Sequence, residues 1–339
     1  MSTASGLPTS TISLDDKINY LNIGLMLASL VAAFILPFEL FLFSYAVLGP
    51  LHYLTEISWL DKKDYFLKSR NDIVVFGFFV LLMTVAKFNH KIGLHTYFAN
   101  FVFTAFVYAL IQRISTSVYT KGALLIAAFI LSVALNVGTY KTIPYLLFAV
   151  LMPTLIHVYL FTALFILFGA IKTKSISGIA SLVFFVLCTI AFFLFTPENF
   201  GIIASNYSRT AYQHFTAINT TLYQFFGFGN IERTDSSLFT NPKAIAIMRL
   251  IAFSYTYHYL NWFSKTSVIK WNQVSTPRML TIIVLWIASV GLYTINYKIG
   301  LDALFMLSML HVLFEFPLNY VTFIGIGKSL GGMLGQSKK

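Results

Sequence analysis

The sequence predicts an all-α integral membrane protein, a bundle of about ten transmembrane helices with no sizeable soluble domain. Three observations carry this. Of 339 residues, 58% are hydrophobic and only 10% are charged. The mean hydropathy is +0.77, above what a domain with a charged aqueous surface shows. Apolar runs also recur at the length that matters, since a hydrocarbon core of about 30 Å needs about 20 residues of helix.

The polar stretch Met1 to Thr11 has neither a basic n-region nor an A-x-A-like cleavage site, so residues 1–18 are expected as a tail and not as a cleaved signal peptide. Spans are then expected near Tyr20–Leu36, Glu39–Leu60, Asp72–Phe88, Thr96–Gln112 and Gly122–Gly138. Five more are expected near Ile143–Ala170, Ile176–Phe195, Ala244–Ser264, Leu280–Tyr297 and Leu301–Ile324. Pro37 is the one clear break between the first two, and a bent or re-entrant segment there lowers the count to eight or nine. Together these fill a transmembrane domain over 19–328, followed by a basic tail over 329–339.

The 23 Lys and Arg residues outnumber the 12 Asp and Glu, but they fall mainly between apolar runs and read as topology signals, not as a nucleic-acid footprint. With the N-terminus in the cytoplasm, about 15 basic residues, Lys62, Lys63, Lys68, Arg113, Lys121, Lys265 and the C-terminal lysines among them, share one side against about 7 on the other. The expected placement is therefore the plasma (cell inner) membrane with both termini cytoplasmic. The long connection 197–242 then faces outward, and its aromatic stretch from Tyr207 to Phe228 is expected either on the membrane surface or over a site. Asn206 and Asn219 begin tripeptides that match glycosylation acceptors, a pattern common by chance. Trp59, Trp262 and Trp271 near span ends read as interface anchors.

No P-loop, dinucleotide fingerprint or nucleophile elbow is present, and Cys188 stands alone, so a metal site would have to use His and carboxylate ligands. An ionisable group at mid-helix costs about 2.5–3.5 kcal/mol, which makes the few intramembrane ones informative. They are Glu39 at a span end, His52 with Glu56, His157, His258, and His311 with Glu315. The four histidines lie on the second, sixth, eighth and tenth spans, all running the same way. Each sits about 10 to 14 residues from its helix start, at a common depth of roughly 15 to 21 Å. Four helices thus deliver one imidazole each to one layer, as a metal in a bundle interior requires. Glu56 and Glu315 follow at i+4 and share a face with His52 and His311. Each carboxylate is open to three roles: ligand, acceptor fixing a histidine tautomer, or proton acceptor. Such a donor set suits iron with dioxygen better than calcium or magnesium. His90, His95 and His214 fall in loops.

These contexts resemble, in order, the Brp/Blh family of bacterial and archaeal membrane β-carotene oxygenases. Gly49-Pro50-Leu51-His52 with Glu56 resembles the family's Gly-Leu-Pro-His followed four residues later by Asp. Leu155-Ile156-His157 resembles its second motif, Tyr255 to Phe263 around His258 its aromatic third, and His311 with Glu315 its last. Two positions depart from the pattern: Trp262 stands where the third motif has a second His, and Thr162 where an acidic residue follows the second. The resemblance covers about a tenth of the chain. It implies a ferrous, dioxygen-using oxygenase that cleaves a carotenoid or similar isoprenoid to retinal-like products. Iron would be bound by His52, His157, His258 and His311, with Glu56 and Glu315 orienting or completing the site and Asn261 hydrogen-bonding oxygen or a ligand. The expected partners are the lipid bilayer, an apolar substrate entering laterally, and a further copy or another membrane protein. Two other classes fit the same residues: a proton-coupled transporter or channel using His and Glu as a relay, and a non-catalytic assembly subunit whose polar groups bind helices together.

Overall fold

The computed structural model describes residues 13–60, 70–115, 117–140, 142–195, 201, 203–234 and 236–336. Met1 to Thr11, the connection's first residues, and Lys62, Lys63, Lys68, Lys338 and Lys339, on which part of the charge asymmetry rests, lie outside the described residues.

The described residues form helices and turns, with no strand. The helices are α1 (Leu14–Ile35), α2 (Pro37–Leu60), α3 (Arg70–Phe88), α4 (Phe98–Ile114), α5 (Val118–Ala134) and α6 (Ile143–Thr173). They continue as α7 (Ile176–Leu194), α8 (Asn206–Tyr212), α9 (Thr216–Phe225), α10 (Pro242–Ser264), α11 (Thr276–Ile295) and α12 (Tyr297–Gln336). Starts follow side-chain caps: Ser13, Ser117, Ser175 and Asn241 each accept from a backbone N–H of the first turn. Ser13, with Asp15 and Asp16 behind it, begins α1 within the stretch expected as tail, and α12 runs to Gln336.

Eight of these helices are long and apolar enough to cross a membrane. The other two expected spans are helices as well. α5 is apolar but has 17 residues. α10 is long, with 23 residues, yet carries Arg249, His258, Asn261 and several Tyr, Ser and Thr. Its polarity has a physical reason. α10 is buried almost all round, packed by α1, α2, α6, α7 and α9, so it faces protein where the others face lipid. Apolar side chains line the outer faces of the rest, among them Leu27, Val31, Phe78, Leu81, Ile126, Ile130, Val183, Leu187, Val284 and Ile287. Pro37 separates two full helices, with Leu36 leaving the helical region at φ −142°, ψ 61°.

Two apolar cores divide the bundle. One gathers around α10 from α1, α2, α7 and the 197–242 connection, the other around α3, α4, α5 and α12, and α6 contributes to both. The connection covers the bundle's end: Tyr212, Ile218 and Leu222 are buried in the first core, and Phe41 meets Tyr212 and Phe215 edge-on. Asn219 is buried and accepts from the Tyr212 hydroxyl, which rules it out as a glycan acceptor in the fold. Lys121, counted in the charge asymmetry, is buried and paired with Asp72, so it is a neutralised charge.

Candidate metal centre

Two histidines sit beside prolines that disturb their helices. Pro50 and Pro153 lack the N–H of a regular turn and crowd the carbonyl four residues back. The backbone answers with π-helical turns, Ser44–Leu48 just before His52 and Leu146–Phe161 around His157. Widened turns of this kind re-aim the side chains that follow them.

The structure brings His52, His157, His258 and His311 together, all buried. Their rings follow one another in a closed cycle, with centroid separations of 4.8 Å for His52–His258, 4.9 Å for His258–His157, 4.9 Å for His157–His311 and 5.4 Å for His311–His52. The cycle spans both cores through α2, α6, α10 and α12. One ligand atom from each of His52, His157 and His311 lies within 4.8 Å of the other two. His258 joins through His52, their Nε2 atoms 3.1 Å apart, and His157 and His311 bring their Nε2 atoms to 3.0 Å.

Outer contacts decide where the ring protons sit. His311 Nδ1 lies 2.5 Å from the Ser308 carbonyl oxygen, which only accepts, so Nδ1 carries a hydrogen. Thr162 donates its hydroxyl to the Val158 carbonyl at 2.9 Å, so its oxygen accepts from His258 Nδ1–H, also at 2.9 Å. In neutral rings both Nε2 atoms are then bare lone pairs pointing inward. His157 completes the problem, because its Nδ1 is 3.1 Å from Glu315 Oε2 although too far out of line for a hydrogen bond. A proton on Nδ1 leaves two lone pairs facing each other at 3.0 Å across His157 and His311. A proton on Nε2 turns the Nδ1 lone pair toward a carboxylate. A cation between the Nε2 atoms relieves both.

Glu56 keeps the expected i+4 contact, Oε2 to His52 Nε2 at 3.0 Å. It therefore approaches the inward nitrogen, with Oε2 buried and without a hydrogen bond among the described residues. Glu315, expected beside His311, instead meets His157 of the neighbouring helix on its outward nitrogen, and both its oxygens lack a hydrogen bond. Asn261 stands near the cycle, its Oδ1 3.5 Å from the Tyr257 hydroxyl. Trp262 is no interface anchor. It is buried, donates its indole N–H to Thr55 at 3.0 Å and packs edge-on to His52. Trp59 is half-buried and donates to the Ile269 carbonyl at 2.9 Å, at the end of the short helix Thr266–Ile269. His90, His95 and His214 are exposed, away from the cycle.

Sequence reading missed Thr162, the Ser308 carbonyl and Tyr53, which stacks on His311 at 4.1 Å. Thr162 was marked only as a departure from a motif, and Tyr53 only by adjacency to His52. Gly49 has a direct role beside Tyr53: a Cβ there would lie 3.0 Å from the Tyr53 hydroxyl and 3.2 Å from that of Tyr259. Those two hydroxyls share a hydrogen bond of 3.0 Å.

A cavity of about 190 Å³ opens on one side of the cycle, walled by His157, His311, Tyr45, Tyr53, Tyr255 and Phe215 of the connection. Phe215 brings the aromatic connection to the wall of this cavity. On the other side a space of about 120 Å³ touches His52, His258, Glu56 and Glu315. Fold and site together define an all-α helical bundle with membrane-length apolar helices and a buried histidine cluster. Comparison with family models, with curated proteins and with solved structures finds no match to this chain.

Proposed function

We propose that the protein is an iron-dependent membrane oxygenase acting on an apolar isoprenoid, a carotenoid or a relative of one. The observation that carries this reading is the inward convergence of imidazole Nε2 atoms, with the Nδ1–H of His258 held by Thr162 and that of His311 by the Ser308 carbonyl. The Nε2 atoms of His157 and His311 lie 3.0 Å apart and those of His52 and His258 3.1 Å apart. A set of imidazole nitrogens with a carboxylate nearby would suit non-haem iron, which keeps open positions, more than structural zinc, whose positions are closed.

His52, His157, His258 and His311 would hold the ion and Glu56 would complete its shell. Bound ferrous iron would supply the redox chemistry that dioxygen requires to attack a double bond. The chain's own residues do the rest. Thr162 and the Ser308 carbonyl fix the orientation of His258 and His311 and the direction of their lone pairs, and Glu315 stands 3.1 Å from His157 Nδ1. The aromatic walls of the larger cavity bind a polyene segment and exclude water, with Phe215 closing the end covered by the connection. The resemblance to the Brp/Blh family agrees with this substrate class.

The test is elemental analysis of protein purified anaerobically in detergent without metal carry-over, followed by a carotenoid-cleavage assay. About one iron per chain is expected, lost in each of His52→Ala, His157→Ala, His258→Ala and His311→Ala. Full iron in those variants, or a well-folded wild type that takes up none, overturns the reading. A proton-relay transporter is the rival, since a shared proton also relieves facing lone pairs. One further observation favours it: buried Asn319, one turn beyond Glu315, has neither amide atom hydrogen-bonded. Proton flux in vesicles with no bound iron would decide for it.

A further inference from the structure

On α10, His258, Asn261 and Lys265 stand at i, i+3 and i+7, one face of the helix leading from the histidine cycle toward the bundle end where α1 begins. Asn261, Lys265 and Phe165 each border two spaces. One is the cavity of about 120 Å³ against His52 and His258. The other is a crevice of about 300 Å³ between α1, α6 and α10, which Asn19, Lys172 and Asp15 also line.

The polar groups here are weakly engaged. Asn261 is 8% exposed, and its side-chain amide has no closer partner among the described residues than the Tyr257 hydroxyl at 3.5 Å, whose one proton goes to Asn22 Oδ1 at 3.1 Å. The half-buried Lys265 ammonium has no carboxylate within ion-pair distance among the described residues. Two lysines against one aspartate leave the crevice a single net positive charge, which suits a monoanion. Beyond Phe165 lies the smaller cavity, bordered by apolar Ile269, Leu318 and Trp262 as well as by Glu56 and Glu315. A cation and an amide N–H at the mouth of such a slot complement the two oxygens of a carboxylate on an apolar tail.

We propose that Lys265 and Asn261 bind the carboxylate of a long-chain apolar acid seated in this crevice, its chain passing Phe165 toward the histidine cycle. The inference deepens the oxygenase reading, and rests on it for the fate of the chain, by giving the substrate one acidic end on the side of the histidine cycle opposite the aromatic-walled cavity. The binding itself is independent of iron.

The probe is parinaric acid, a fluorescent polyene carboxylate, against its methyl ester, with wild type and with Lys265→Met, Lys265→Arg and Asn261→Leu in nanodiscs. Wild type is expected to prefer the acid by about ten-fold or more. Lys265→Met should erase the preference, Asn261→Leu should reduce it, and Lys265→Arg should keep it, which shows that the fold survives change at this position. Equal affinity of wild type for acid and ester overturns the proposal, as does an acid preference that survives in Lys265→Met. Displacement of the probe by millimolar acetate overturns the role given to the chain. Iron content of the same preparations separates the two readings. Iron without acid preference sinks this inference alone, and acid preference without iron sinks only the oxygenase.

Discussion

Thr162 accepts the Nδ1–H of His258 at 2.9 Å, and it can do so because its own hydroxyl proton is committed to the Val158 carbonyl. One threonine thus sets the tautomer of a histidine on another helix and turns its Nε2 lone pair inward. Thr162→Val keeps the shape and removes the acceptor. The expected outcome is a folded protein whose iron affinity is lower by about 10- to 100-fold, the usual cost of losing a partner that orients a ligand. Thr162→Ser should restore it. Competitive chelator titration of the three proteins checks both, and unchanged affinity in Thr162→Val would remove Thr162 from the site.

Glu56 and Glu315 occupy matched sequence positions and unmatched structural ones. Glu56 Oε2 lies on the inward nitrogen of His52, Glu315 Oε2 on the outward nitrogen of His157. Glu315→Gln is expected to keep iron at about one per chain with affinity reduced by about ten-fold. Glu56→Gln should weaken binding further and change the spectrum of the bound ion, because a ligand is exchanged. Indistinguishable spectra in the two variants would argue that neither carboxylate touches the metal.

The ten helices were legible because apolar runs recur at about the 20-residue length that a hydrocarbon core requires, with Pro37 marking the break between the first two. Common depth also brought the four histidines to one layer, since rise per residue converts position into height. Rotation was not legible. Depth cannot say that Glu315 turns to His157 and not to His311, because that depends on how α6 packs on α12. Nor could it show that the π-helical turns before His52 and around His157 shift the phase of both side chains. Trp262 was misread for the same reason: its place near a span end suggests an interface, but α10 is central and has no lipid face.

Lys265 gives the proposed carboxylate site a pH dependence of known sign. Burial lowers its ammonium to about 8. Below that value the side chain is charged and binds the acid; above it the charge is lost. Parinaric acid affinity is therefore expected to fall as pH rises from about 7 through 8 to 9.5, while that of the ester stays level. Asp15 and Lys172 in the crevice, with His52, Glu56, His258 and Glu315 in the adjoining cavity, are common to every variant. Lys265→Arg stays charged throughout, so its curve should be flat if Lys265 is the group responsible. A decline that persists in Lys265→Arg would assign the effect to one of the others.

Away from the histidines, α3, α4 and α5 are tied by one buried cluster. Lys121 Nζ meets Asp72 Oδ1 at 2.7 Å and Oδ2 at 3.0 Å, and the Tyr108 hydroxyl donates to Asp72 at 2.7 Å. Asp72 is fully buried. Two desolvated charges offset each other, so the pair adds little net stability, but removing Lys121 takes from buried Asp72 the ammonium that meets both its oxygens. Lys121→Met is expected to cost about 3–5 kcal/mol, read as a lower thermal midpoint in detergent, with Tyr108 keeping the loss toward the lower end. Adding Asp72→Asn should recover most of it, because the remaining amide can still accept from Tyr108 and carries no charge. None of these side chains reaches the histidine cycle, so iron per folded chain should be unchanged in both variants. A double variant as unstable as Lys121→Met would mean that Asp72 acts through some interaction other than its pair with Lys121.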